Sequence, residues 1–208
     1  ALGLFDVASL QRYYRISRSE FWLSVIAMLG VMTVGVLPGV LIAVGLALLK
    51  LLRLASRPHD VVLGLVQEKD DVYSAVEEEG GRTIPGLIIY RFDSSLLFFN
   101  ADHFKDRVRA IIRNANTKPK WFLFDVESVP VLDITGADAL EELRAELAGL
   151  GVVLAIARAK GLFRVMLDRS GVTEKIGRQH IFPTVHAGAQ AFLATQPRAA
   201  ESREIRGR

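Results

Sequence analysis

Asp133-Ile134-Thr135-Gly136 sets a hydroxyl between a carboxylate and a glycine, where a short loop after an apolar run opens an amphipathic segment. Two chemistries suit that spacing. Thr135 can be a helix N-cap, its hydroxyl accepting from the backbone N–H of Asp138 or a neighbour, with Asp138, Glu141 and Glu142 as an acidic first turn. Alternatively, an exposed hydroxyl at a helix start is a phosphoacceptor. A phosphate there would meet free N–H groups and add close to two negative charges, opposed by Asp133, Asp138 and Glu141. Asp133, Thr135 and Gly136 are therefore the candidate regulatory loop. Asp125, Glu127 and Asp133 are close enough in sequence to converge at a strand end, as carboxylates do around magnesium. Such groups more often stay solvated or cap loops, and no metal is expected.

The rest of the chemistry is defined by exclusion. The chain has no cysteine, so disulfides, thiolate catalysis and cysteine-ligated metals are ruled out. His59, His103, His180 and His186 lack metal-ligand spacing. Neither G-x-x-x-x-G-K-[ST] nor G-x-G-x-x-G occurs, so no recognised phosphate cradle is present. With no catalytic constellation, neither an enzyme nor a bound cofactor is expected. Glu77, Glu78 and Glu79 read as exposed surface.

The elements that must position the Thr135 loop follow from periodicity. Val61–Val66 reads as a strand, and the polar stretch from Gln67 to Gly86 as a solvated excursion. Leu87–Phe92 and Leu96–Phe99 read as paired strands around Asp93-Ser94-Ser95, which makes Phe98 and Phe99 core residues. Phe104, Val108, Ile111 and Ile112 form one helical stripe. Trp121–Val126 is a continuous apolar strand of the kind covered on both faces. Leu140, Leu143, Leu147 and Leu150 mark the next helix, Val152–Ala157 a strand, Leu162–Ile176 a helical stretch, Ile181-Phe182 a short strand and Ala187–Ala194 a last helix. Strands alternating with helices imply an α/β fold, a largely parallel sheet with helices packed on it.

Ahead of this domain lies a stretch of different character. No charged side chain occurs between Glu20 and Lys50. As one helix the stretch would be about 44 Å long, well beyond a hydrocarbon core of about 30 Å. Val36-Leu37-Pro38-Gly39 predicts a break near its centre, giving Phe21–Val36 and Gly39–Leu52 as two short helices. Gly35 and Gly39 form a G-x-x-x-G whose expected role is in that turn. Arg12, Arg15 and Arg18 precede the stretch, and Lys50, Arg53 and Arg57 follow it. Basic flanks at both ends favour a hairpin with both ends in the cytoplasm over a tilted single span.

The net charge of +3 is unevenly spread: +4 over residues 1–57, −3 over 58–196 and +2 over 197–208. The basic excess belongs to the membrane flanks and the tail, where anionic lipid attracts it. A mildly acidic folded domain is not expected to bind nucleic acid. The expected organisation is a cytoplasmic connector (1–15), a transmembrane helical hairpin (16–56), a cytoplasmic domain (57–196) and a disordered tail (197–208).

Five motifs in one order carry a family resemblance: Leu37-Pro38-Gly39-Val40-Leu41-Ile42-Ala43-Val44, Ser56-Arg57-Pro58-His59, Pro85-Gly86-Leu87-Ile88-Ile89-Tyr90-Arg91-Phe92, Leu97-Phe98-Phe99-Asn100-Ala101-Asp102, and Asp133-Ile134-Thr135-Gly136-Ala137. From about Ile16 to about Phe192 the chain resembles the last two membrane helices and the cytoplasmic STAS domain of SulP-type sulfate permeases. STAS domains share their fold with anti-sigma-factor antagonists. The resemblance implies a STAS-type mixed sheet flanked by helices. It also implies secondary active movement of sulfate or a similar oxyanion, in a multi-pass plasma-membrane protein that is a homodimer. The substrate site of such permeases lies in an earlier part of the chain, so no substrate contact is expected here. In the antagonists the phosphorylated hydroxyl immediately precedes the glycine, the position of Thr135, whereas the often hydroxylic position before it is Ile134. By analogy within the fold, Asp125, Thr135 and Gly136 are the region for nucleotide contact. The alternative is a membrane-anchored STAS interaction module, a phosphorylation- or nucleotide-responsive switch that binds a regulatory protein.

Overall fold

Alternating side chains on the apolar strands require cover on both faces of the sheet, and the helices supply it. The computed structural model describes residues 14, 15, 18–65, 73–75 and 83–196. The chain divides into two compact units, Ala1–Ala55 and Ser56–Arg208.

In the second unit, β1 (Asp60–Leu65), β2 (Tyr73–Ala75), β3 (Leu87–Phe92), β4 (Trp121–Asp125), β5 (Val153–Ala157) and β6 (Ile181–Phe182) form one sheet in the order β2-β1-β3-β4-β5-β6. β1 pairs antiparallel with β2 and β3, and β3 to β6 are parallel. The sheet is therefore mixed, as the STAS resemblance implies. α3 (Ala101–Arg113), α4 (Ile134–Gly149), α5 (Gly161–Arg169) and α6 (Val172–Ile176) supply the helical part of the core that holds Tyr90, Phe122, Phe124, Leu154 and Ile156. On the opposite face, α7 (Val185–Thr195) packs Val185, Ala189 and Phe192 on Leu87, Ile89, Trp121 and Leu123. Gly188 permits that approach, since a Cβ there would lie 2.8 Å from a Leu123 methyl.

Several expectations are corrected. Leu96–Phe99 does not pair with β3: Leu96 bridges to Leu132 in parallel, and residues 98–100 turn directly into α3. Phe98 is consequently exposed. The polar excursion holds an edge strand, β2, whose pairing with β1 a short polar pattern does not reveal. The helical stretch 162–176 is two helices parted at Gly171, which adopts φ 75°. Leu150 is the exposed C-cap of α4 and no part of its buried stripe.

In the first unit, α1 (Arg18–Val34) and α2 (Val36–Ser56) carry no charge between Glu20 and Lys50. The break lies at Gly35 (φ 101°), not at Pro38-Gly39. Pro38 sits in the first turn of α2, where a missing N–H costs no intrahelical bond. Gly39 instead lets the two helices touch: a Cβ there would lie 2.5 Å from the backbone nitrogen of Val31. α2 is long and apolar enough to cross a membrane, while the apolar part of α1, Ser24–Val34, is shorter. Residues 1–13 and the tail 197–208 lie outside the described residues, so neither the connector nor the tail expectation is addressed.

Candidate functional site

The parallel strands β3, β4 and β5 deliver their carboxyl ends, and hence Arg91, Asp125 and Arg158, to one edge of the sheet. Crevices outside such edges are the usual ligand positions of open α/β sheets. The Thr135 loop leaves this same edge, since residues 126–133 lead from β4 into α4.

Asp133, not Thr135, is the N-cap of α4. Its Oδ1 accepts from the Gly136 N–H at 2.7 Å, and its Oδ2 accepts from the Phe98 N–H at 2.8 Å. One carboxylate thus ties the loop before α3 to the start of α4. Backbone bonds reinforce the tie, with Leu96 N–H donating to Val131 and Asp133 N–H donating to Leu96. Asn100 completes it by accepting from the Leu97 N–H at 2.9 Å and donating to Ser95 O at 2.9 Å. Gly136 is buried, and a Cβ there would lie 2.5 Å from the Leu96 carbonyl oxygen. Its role is therefore steric, allowing α4 to start directly against the Leu96 loop. Thr135 occupies the first turn and is exposed, as are Ile134 before it (70 %) and Phe98 in the loop that Asp133 ties to the start of α4 (67 %).

The acids expected in the first turn lie further along α4. Glu141 pairs with Arg144 and Lys175, and Glu142 pairs with Lys105 of α3. The Arg144 hydrogen bonds, then Lys175, hold the Glu141 carboxyl below its usual range. Arg109 likewise lowers Glu146, and the hydrogen bond that Lys105 donates to Glu142 raises the Lys105 ammonium.

Asp125 is completely buried and accepts from Arg91 Nε at 2.9 Å, from Arg158 Nε at 2.8 Å and from Arg158 Nη2. Arg158 also bonds Glu127, and Lys160 stands 3.9 Å from Glu127. Asp125, Glu127 and Asp133 therefore do not converge on a vacant centre: two carboxylates answer arginines and the third caps a helix. Among the described residues no His/Asp/Glu group is arranged to hold a metal ion. Of Asp125, Thr135 and Gly136, Thr135 alone faces solvent. Sequence reasoning missed both arginines. Arg91, a charge inside an apolar strand, was the one local signal, while the left-handed backbone of Arg158 (φ 64°) had none.

Residues 81–188, just over half of the chain, match the STAS domain family. The chain belongs to that family. Curated relatives extend the match beyond the STAS domain. A probable sulfate transporter of Mycobacterium tuberculosis (strain H37Rv) is 38% identical over 192 residues, covering 92% of this chain and 34% of the relative. Sulfate transporter 1.1 of Arabidopsis thaliana is 28% identical over 203 residues, covering 94% of this chain and 31% of the relative. The chain thus spans about a third of the length of these relatives, over their STAS-containing C-terminal part. Among solved structures, the murine Solute Carrier 26 family member A9 anion transporter in its inward-facing state has the same fold, with TM-score 0.81 and 22% identity, over 92% of this chain and 31% of that one. The relatives are named as transporters, not enzymes.

Proposed function

We propose that this chain is the C-terminal segment of a secondary active transporter of sulfate or a related inorganic anion, whose STAS domain regulates or assembles the transporter. The 38% identity carries this reading, because it runs over 192 residues and so takes in the apolar helices together with the STAS domain. In this account α1 and α2 form a transmembrane hairpin in the plasma membrane, bedded in lipid. The STAS domain is cytoplasmic, the whole protein is a homodimer, and the oxyanion passes through a transport domain encoded upstream. The short connection from Ala55 to Asp60 carries the state of the STAS domain to the hairpin, as few residues are available to absorb a displacement.

Uptake of radiolabelled sulfate by cells expressing the full-length gene product tests the reading. Saturable uptake is expected, together with impaired uptake after a flexible Gly-Ser insertion between Arg57 and Pro58. Absence of sulfate and other oxyanion uptake by the intact, membrane-inserted protein would contradict it.

A second reading, a membrane-anchored switch that binds a regulatory protein, draws support from the exposure of Thr135, Ile134 and Phe98. Phosphorylation of Thr135, or nucleotide contact at the same corner, would act there without Asp125, whose carboxylate is buried in its arginine pairs. Recovery of the Thr135 peptide from native protein only in unmodified form would count against phosphorylation.

A further inference from the structure

The Pro85-Gly86-Leu87 motif plays no part in the carboxyl-edge site; it lies at the opposite, amino edge of the sheet and lines a cavity of about 460 Å³. That volume falls in the range of small-molecule sites, about 300–1,000 Å³. Val62, Ile84, Ile88 and Ile111 line it and are only half-buried by the rest of this chain.

Two braces preform the cavity. On one side Thr117 Oγ1 accepts from the Gly86 N–H at 3.3 Å, tying the loop after α3 to the turn before β3. Gly86 is at φ 86°, and its carbonyl accepts from the Lys120 and Trp121 N–H groups at 2.7 and 3.0 Å. On the other side Arg107 grips Asp60 across α3 and β1, with Nε 2.9 and 3.0 Å from the two carboxylate oxygens. Behind that pair the buried Tyr90 hydroxyl is pushed up by desolvation and by the Asp60 charge, so it stays a neutral phenol.

The lining selects a ligand by charge and by edge. Arg107 is the one charged residue among those named as lining, and Asp60 already neutralises it. An ionised ligand would therefore lose hydration without gaining a counter-charge. At the rim Asn114 and Asn116 are exposed, and their side-chain amides make no hydrogen bond with the described residues. An amide offers both a donor and an acceptor, which matches a ligand edge with the same pair. We propose that this cavity binds an uncharged small molecule with an apolar ring body and an amide-like edge, the edge held by Asn114 and Asn116 and the body by the half-buried aliphatic side chains.

This site does not rest on the transport reading. The test titrates the full chain, reconstituted in nanodiscs with isotope-labelled isoleucine methyls, with the neutral bicyclic lactam 2-quinolone. Saturable shifts are expected at Ile84, Ile88 and Ile111. The charged analogue 2-naphthoate should bind at least about tenfold more weakly, a tenfold change being about 1.4 kcal/mol. Ala110→Trp, which fills the cavity, should abolish the shifts. The exposed pair Asn114→Ala and Asn116→Ala should weaken binding about fivefold or more with the remaining spectrum unchanged, the effect of losing hydrogen bonds to the edge. The proposal is overturned if those three isoleucines show no saturable shift up to the solubility limit. It is equally overturned if the naphthoate binds as well, or if the asparagine pair leaves affinity unchanged.

Discussion

Leu41 in α2 and Leu150 at the end of α4 are almost equally exposed, 64 % and 58 %, yet they belong to regions built for different solvents. In the STAS unit most large apolar residues turn inward on both faces of the sheet, and exposed ones such as Phe98, Ile134, Leu150 and Leu162 are the minority. In the helix pair outward-facing apolar side chains are the rule: Trp22, Met32, Leu37, Leu41, Leu48 and Leu54 all face outward, and Gly39 is the one buried residue of α2. In the proposed reading these faces meet lipid or the transport domain encoded upstream. Exposure thus acquires its meaning from the surroundings each unit was selected for.

The largest effect that would sharpen the contrast comes from charge. Leu41→Arg should impair membrane insertion by about 2.5–3.5 kcal/mol, read as loss from the membrane fraction. Leu150→Arg should change stability by no more than about 0.5 kcal/mol. Equal effects of the two would erase the distinction. Of similar size, Asp125→Ala should destabilise the STAS unit by about 3 kcal/mol, by leaving Arg91 without its carboxylate and Arg158 with Glu127 alone. The arginines are about a quarter exposed, so water limits the loss, and a large fall in melting temperature is the readout.

Next come the glycines, which discriminate close approach from helix propensity in both units. Gly136→Ala should cost about 1–3 kcal/mol because its Cβ would press on the Leu96 carbonyl. Gly45→Ala, with nothing within 4 Å of its Cβ, should leave the helix pair intact or steadier. Gly39→Ala, at the helix contact, should disrupt it.

The smallest effect is one of pH. Glu141, Glu146 and Asp168 all have lowered carboxyl pKa values, caused chiefly by hydrogen bonds from Arg144, Arg109 and Thr173 respectively. A carboxyl lowered on folding contributes stability that is present above its unfolded pKa, about 4, and is lost as pH falls through the folded value. Glu141→Gln should therefore lower the melting temperature slightly at pH 7 and have no effect near pH 2. Because Glu141 is partly solvent-exposed, salt should also shrink the difference.

Much of this fold was legible because its strongest signals are local. The continuous apolar run 121–124 and the stripe of Phe104 and Val108 announce a covered strand and the helix beside it. What stayed hidden depends on partners far along the chain. Leu96-Leu97 reads as a strand, but Leu132 and Asp133 draw it into a loop from across the domain. Asp125 resembles a metal ligand until Arg91 and Arg158, 34 and 33 residues away, are placed beside it. Asp133 and Thr135 are both capping residue types two positions apart, and the Phe98 N–H, a second donor, decides in favour of Asp133. Pro38 misled for a local reason: a proline in a first helical turn is as compatible with beginning a helix as with ending one.

The 208 residues hold no cysteine, so a single cysteine placed among them, with any cysteine encoded upstream replaced by serine, measures the central claim directly. Single cysteines at Ser19, Leu37 and Ser56 of the full-length protein, in sealed cells, can be probed with a membrane-impermeant maleimide. The account predicts labelling of the Leu37→Cys variant from outside, and of the Ser19→Cys and Ser56→Cys variants only after the cells are opened. Labelling of Ser19→Cys and Ser56→Cys from opposite sides of the membrane would contradict a returning helix pair and the cytoplasmic STAS domain that depends on it.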